Sequence, residues 1–325
     1  MANYLVTGSA GFIASRVISL LLENGHRVIG VDNMNDAYDV RMKEYRLAKL
    51  RSQPGFTYYQ ADISDRDFLT LPALRDANFA GVINLAARAG VRQSLEDPWV
   101  YVDTNVTGTL NLLELCRREG IGKFILASTS SLYGDDAPMP TPETAESDHP
   151  LQVYAASKKG AEALCHAYHH LYGLDVTVFR YFTVYGPAPR PDMVMFRFPQ
   201  WISEGRPVRL NGDGEQTRGF TYVDDIARGT ILGLKPLGYE MINLGGHQVI
   251  KINDLIQRLE ELLGKKADIH HLPRHKADMF ANWADVEKAG RLLGWEPQVT
   301  LDQGLRNLVN WYAAERSWAS QIVTD

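Results

Sequence analysis

The chain has 325 residues, 45% hydrophobic and 22% charged, with a formal net charge of −5. That balance suits one large or two modest domains with real cores and argues against disorder. It carries no basic block, which argues against a nucleic-acid partner, and no run approaches the roughly 18 apolar residues of a membrane span.

Asn3–Val6 reads as a short buried strand that begins too early to leave room for a signal peptide, so a cytoplasmic location is expected. Thr7-Gly8-Ser9-Ala10-Gly11-Phe12-Ile13-Ala14 follows, and helical periodicity through Ile13, Val17, Leu20 and Leu21 stops at Asn24-Gly25. A second strand, Arg27–Val31, ends at Asp32, 24 positions after Gly8. A strand, a Gly-rich turn, a helix, a strand and an acidic residue together bind a dinucleotide. The turn and helix N-terminus present amides to the pyrophosphate, and Asp32 accepts from the ribose hydroxyls. Ala14 is small enough for close helix packing. Asp32 repels a 2′-phosphate, Asn33-Met34 offers no compensating arginine, and Arg41 lies too far along, so NAD is expected over NADP.

Alternation continues through Phe56–Gln60, which delivers Asp62-Ile63, and Gly81–Leu85, which opens into Ala86-Ala87-Arg88-Ala89-Gly90. A helix is expected over about Pro98–Arg118, carrying Asn105 and Cys116. With Cys165, Cys116 reads as a buried thiol in a reducing compartment. Strand Lys123–Ala127 then runs into Ser128-Thr129-Ser130-Ser131-Leu132-Tyr133-Gly134, and Tyr154 and Lys158 follow. A Tyr and a Lys four apart share one helix face. The ammonium favours the phenolate and pulls the Tyr pKa below its usual value of about 10. With an upstream hydroxyl, this is a proton-transfer device for an alcohol or carbonyl. Polar clusters at successive strand ends point to a Rossmann-like, doubly wound parallel α/β sheet with ligands at the strand C-termini.

After strand Leu174–Arg180 and the segment Tyr181–Pro187, the alternation weakens. The expected division is therefore 1–180 for NAD binding and 181–325 for a smaller mixed α/β substrate domain, with segments near 220–240 returning to the first. Asn211–Asp225 reads as turn, strand and new helix start. Stretches 255–263, 284–293 and 301–311 read as amphipathic helices, with Trp283, Trp295 and Trp311 as packing. His270, His271 and His275 have sparse carboxylate partners and irregular spacing, so no metal is expected.

The chain resembles the extended short-chain dehydrogenase/reductase family. The matching pieces are Thr7-Gly8-x-x-Gly11-Phe12-Ile13, Asp32-Asn33, Asp62-Ile63, Leu85-Ala86-Ala87, Asn105, Ala127–Gly134 and Tyr154-x-x-x-Lys158, in the family's order. The resemblance implies a cofactor set of Gly8, Gly11, Phe12, Ile13, Asp32, Asn33, Asp62, Ile63, Leu85, Ala86, Ala87, Arg88, Asn105, Tyr154, Lys158 and Tyr181. It implies Tyr154 as acid/base, Lys158 holding the nicotinamide ribose, and Thr129 with Ser130 as hydroxyl partners. It also implies a homodimer through the helices near 98–118 and 152–172.

Within the family, Gly186-Pro187-Ala188-Pro189-Arg190-Pro191-Asp192-Met193 and Ala89–Ser94 resemble the branch that epimerises UDP-glucuronate at C4. There Thr183 and Arg190 correspond to residues that bind the substrate carboxylate, Arg218 to one on the diphosphate, and Asp278 to a contact near the uridine ribose. A guanidinium is suited to both anions. Pro189 replaces the family's glycine and stiffens the loop, and Arg274 fits its pattern only loosely. Related decarboxylases and dehydratases carry Thr-Ser-Glu or Thr-Asp-Glu where this chain has Thr129-Ser130-Ser131. A Ser hydroxyl is a poor general base, which leaves NAD-dependent 4-epimerisation of UDP-glucuronate to UDP-galacturonate through a transient 4-keto sugar. The alternatives are a 4-epimerase of a neutral UDP-hexose or UDP-N-acetylhexosamine, a decarboxylase, and a non-catalytic NAD-binding sensor.

Overall fold

The computed structural model describes residues 1–75, 77–273 and 280–324. Strands β1 (Asn3–Thr7), β2 (Arg27–Asp32), β3 (Phe56–Gln60), β4 (Gly81–Asn84), β5 (Lys123–Thr129) and β6 (Asp175–Tyr181) alternate with helices α1 (Phe12–Glu23), α2 (Arg41–Arg51), α3 (Trp99–Val102), α4 (Gly108–Glu119) and α5 (Val153–Tyr172). Beyond them come β7 (Thr183–Tyr185), α6 (Val194–Glu204), β8 (Val208–Asn211), β9 (Thr217–Tyr222), α7 (Val223–Leu232), β10 (Tyr239–Leu244) and β11 (Gln248–Lys251). The chain ends with α8 (Ile252–Leu263), β12 (Ile269–Leu272), β13 (Ala281–Asn282), α9 (Glu287–Leu293) and α10 (Leu301–Ala319).

Seven strands form one parallel sheet in the order β3-β2-β1-β4-β5-β6-β10. Helices cover both faces, so neighbouring residues of one strand are both buried. Leu5, Val82, Phe124 and Leu126 join Leu112, Cys116 and Cys165 in one core. Val6, Ile83 and Ile125 join Val17, Leu21, Ile226 and Trp295 in the other. This two-sided burial is why the strands read as continuous apolar runs. The strand order reverses between β1 and β4, where an open parallel sheet leaves a crevice at its strand C-termini.

The seventh strand comes from late in the chain. β10 lies parallel to β6, with Tyr239 opposite Val176, and α7 is tied to α1 by Arg16 and Asp224 at 2.8 Å. The rest of the later chain forms a second sheet, in which β9 is flanked by β11, β7 and β13, and a two-stranded pair of β8 and β12. These surround a third core that includes Phe196, Trp201, Phe220, Trp311 and Tyr312. The helix expected over about Pro98–Arg118 is one run, but Asp103–Thr107 winds as a π-turn between α3 and α4 and carries Asn105. Cys116 and Cys165 are buried free thiols. Among the described residues, no helix is long and apolar enough to cross a membrane.

Candidate active site

The strand ends open into one cleft of about 630 Å³. At its first end, β1 turns into α1 through Gly8 at φ +67°, where a Cβ would stand 2.8 Å from the Ala86 Cα. At Gly11 a Cβ would stand 2.7 Å from the Gly8 carbonyl. With those side chains excluded, Gly8, Gly11, Phe12 and Ile13 line the cleft, and the amide end of the 12-residue α1 faces it. Asp32 closes β2, accepting from the Ala10 amide at 3.1 Å and the Met34 amide at 2.8 Å. Asn33 donates to Asp62 at 2.8 Å, and Ser64 donates to the same carboxylate through its amide and hydroxyl. Burial pushes the Asp62 carboxyl up, but these hydrogen bonds outweigh it and hold the group below the usual carboxylate range. The Thr7 hydroxyl donates to Asn84 at 2.8 Å and accepts from the Ala86 amide at 3.3 Å, which fixes Leu85–Ala87 at the end of β4. Excluded Cβ positions, a helix N-terminus and a strand-end carboxylate fit a dinucleotide.

Two neighbours of this end escaped the sequence reading. Lys43, 5% exposed on the inner face of α2, brings its ammonium to 3.5 Å from Asp32 and 3.0 Å from Asn35. Tyr38 lies beside it and also lines the cleft. No local pattern marks an inward-facing lysine on a charged helix; its partners Asp32, Asn35 and the Tyr38 ring account for it. Arg41 turns away instead, to Asp39 and the Gln321 carbonyl. Arg88 and Asn105, expected at the cofactor, are not among the residues that line the cleft. Asn105 accepts from the Arg88 amide and donates to its carbonyl, each at 3.0 Å, and donates to Ser157 at 2.9 Å. It therefore locks the β4 loop to α5 between Tyr154 and Lys158.

Tyr154, Lys158, Thr129, Ser130, Ser131 and Tyr181 all line the middle of the cleft. The Thr129 hydroxyl accepts from the Ser131 amide at 3.1 Å, and Asn282 of β13 donates to Ser130 at 3.2 Å. The expected effect of Lys158 on Tyr154 needs correction. Burial raises the Tyr154 phenol above its ordinary value, and the groups that pull it back are the Thr129 hydroxyl and the Arg190 charge. Lys158 instead donates to the Ala127 carbonyl at 2.8 Å, and burial lowers its own pKa to about 8, opposed by Glu162. In this state the ammonium belongs to the end of β5, and helix spacing alone does not reveal that competitor.

At the far end Thr183, Arg190 and Arg218 line the cleft, joined by Arg197, Arg209, Phe198 and Trp201, which the sequence reading did not single out. Arg190 donates to Asp192 from Nε at 3.0 Å and Nη2 at 2.6 Å, and from Nη2 to the Ala89 carbonyl at 3.3 Å. Arg218 donates to the Thr217 and Phe280 carbonyls. His270 faces Asp268, and His271 faces the Gly212 carbonyl. Asp278, Arg274 and His275 lie outside the described residues.

A family model described as the NAD dependent epimerase/dehydratase family matches residues 4–245. The chain belongs to that family. A UDP-glucuronate 4-epimerase of Thermodesulfobacterium geofontis is 57% identical over 96% of both chains. A Bacillus cereus UDP-glucuronic acid 4-epimerase, solved with UDP-glucuronic acid and NAD, superposes with a TM-score of 0.90 at 37% identity, covering 96% of this chain and 99% of that one. A Thermotoga maritima UDP-glucose 4-epimerase, solved with UDP-glucose, superposes with a TM-score of 0.88 at 33% identity, covering 97% and 99%.

Proposed function

We propose that the chain is an NAD-dependent UDP-glucuronate 4-epimerase, interconverting UDP-glucuronate and UDP-galacturonate through a 4-keto sugar. The observation that carries this reading is the placement of Arg190 and Thr183 in one cleft with Tyr154 and Thr129-Ser130-Ser131. A hexuronate brings a fixed negative charge, and Arg190 is near enough to act on Tyr154 electrostatically. Among the described residues no acceptor takes its Nη1, which leaves that edge for a substrate carboxylate.

Bound NAD supplies a reversible hydride acceptor for C4. Tyr154 takes the O4 proton as the ketone forms and returns it once the opposite face of the sugar is presented. Thr129 and the charge of Arg190 favour the Tyr154 phenolate against burial, and Lys158 would hold the nicotinamide ribose. Ser130 and Ser131 hold the sugar by hydrogen bonds and offer no carboxylate for chemistry beyond C4. A 4-keto uronate is a β-keto acid, prone to lose CO2. Arg190 and Thr183 restrain that loss by keeping the carboxylate in the plane of the ketone, where the breaking bond overlaps poorly with the carbonyl π system. Arg218 binds the diphosphate. We assign residues 1–180 to the cofactor and 181–325 to the sugar nucleotide, with α7 and β10 returned to the first part. The assembly is read as a homodimer through the helices near 98–118 and 152–172, and the two free thiols fit a cytoplasmic setting.

Incubation with UDP-glucuronate and, separately, with UDP-glucose, followed by NMR of the products, tests the assignment. UDP-galacturonate without a UDP-pentose is expected from the first and little turnover from the second. Equal turnover of both identifies a neutral-sugar epimerase, and release of a UDP-pentose identifies a decarboxylase.

A further inference from the structure

We propose that Arg46 is a positioning residue for uronate recognition, tying the Gly-rich turn after β1 to the loop that carries Arg190. The proposal rests on the reading of Arg190 as the carboxylate-binding group. Arg46 sits on the buried face of α2, 3% exposed and behind the cleft wall. Its Nε and Nη2 donate to the Ala188 carbonyl at 3.0 and 2.8 Å, and Nη2 also donates to the Pro189 carbonyl at 3.0 Å. Its Nη1 donates to the Ala10 carbonyl at 3.2 Å and to the Tyr38 hydroxyl at 2.9 Å. All five guanidinium N–H groups are thus used, on oxygens from three separate segments.

The loop needs this support. Ala188 holds φ +54°, a left-handed conformation that residues other than glycine rarely adopt unless their surroundings impose it. Arg46 grips the carbonyls of Ala188 and of Pro189, whose ring restricts the backbone immediately before Arg190. Tyr38 is shared as well, with Arg46 at 5.6 Å and Arg190 at 6.0 Å from its ring centre. Arg190 therefore stands at the end of a rigid path from the dinucleotide turn. A lysine at position 46 would keep the charge but present three donors from one point, too few for this set of acceptors.

A purely structural pin would weaken every ligand alike, whereas a positioning role selects for the uronate. The test uses NAD-loaded wild-type protein, Arg46→Lys, Arg190→Ala and the double variant, titrated calorimetrically with UDP-glucuronate and with UDP-glucose. Arg46→Lys is expected to weaken UDP-glucuronate about tenfold and UDP-glucose less than about twofold, with the double variant no weaker than Arg190→Ala alone. Bound NAD, measured after denaturation, is expected to stay at the wild-type ratio. Equal losses for both sugars, or additive losses in the double variant, overturn the proposal while a uronate-selective loss in Arg190→Ala preserves the Arg190 reading. If Arg190→Ala binds UDP-glucuronate as well as wild type, that reading falls and the proposal falls with it. Should Arg46→Lys fail to fold, Tyr38→Phe removes the hydroxyl that Arg46 Nη1 donates to while keeping the ring that both arginines face. A uronate-selective weakening of about threefold then supports the proposal, and unchanged affinity overturns it.

Discussion

Lys158 is 2% exposed, and its burial is a cost that the fold accepts for the sake of the site. The unfolded side chain titrates near 10.5 and the folded one near 8, so between those values the unfolded chain holds a proton that the folded chain has lost. Stability from this residue therefore rises as pH climbs through that window, and its penalty is felt in full below it. Lys158→Met is expected to gain on the order of 1–3 kcal/mol at pH 7, shrinking toward zero above pH 10, while turnover is abolished. Urea unfolding at the two pH values, without added NAD, checks it. Tyr154→Phe has the opposite profile: the fold and the bound NAD are retained, and kcat falls by about 100- to 10,000-fold. Unchanged turnover would remove Tyr154 from the chemistry. At this scale the sequence was most informative where a residue type has one job at a strand end, as with Gly8, Asp32, Thr129 and Tyr154. It was silent where a long side chain reaches a partner in another element. Lys43 meets Asp32 by crossing from α2, and Arg46 meets carbonyls 142 and 143 positions away. Neither distance leaves a mark in local spacing.

Elements in this protein are joined at the site by buried polar ties as much as by apolar packing. Glu162 of α5 accepts from Ser128 of β5 at 2.6 Å and from Arg180 of β6 at 2.8 and 3.0 Å, with both charged partners no more than 3% exposed. Ser128 and Arg180 are opposite each other across those strands, so one carboxylate fixes the Tyr154 and Lys158 helix against the strand bearing Thr129. Glu162→Gln leaves the Arg180 charge buried and uncompensated, and is expected to cost about 3–5 kcal/mol of stability, read by chemical denaturation. A loss below about 1 kcal/mol would show that the tie carries little. Apolar runs were enough to place β1 to β6, because most of these strands are buried on both faces, and helical spacing placed α1 and the helix over about Pro98–Arg118 but not α2. They did not show the π-turn at Asp103–Thr107, where one extra residue per turn aims Asn105 at the Arg88 backbone and Ser157.

For the whole molecule, the exposed apolar surface is informative. Trp99 is 77% exposed, Leu95 59% and Val102 43%, beside the helices proposed above to form a homodimer. A tryptophan bared to that extent next to other apolar side chains marks a contact surface more readily than a monomer's face. Trp99→Glu is expected to convert the assembly from two chains to one in light scattering; a wild-type monomer, or a variant that stays dimeric, argues against this surface. The parallel sheet was legible as far as β6, but its seventh strand was not. β10 follows β7 to β9, and an edge position in a sheet is decided by what lies beside it in space. That placement has a consequence for the newborn chain. When β6 leaves the ribosome, its outer edge has no neighbour until residue 244 is made, 63 residues after Tyr181. At ordinary synthesis rates this lasts roughly 3–13 s, during which Val176, Val178 and Phe179 lie along an open strand edge. The first half of the chain is thus a sheet waiting for its border. Any pause in translation between the two strands prolongs the interval in which another chain can take the place of β10.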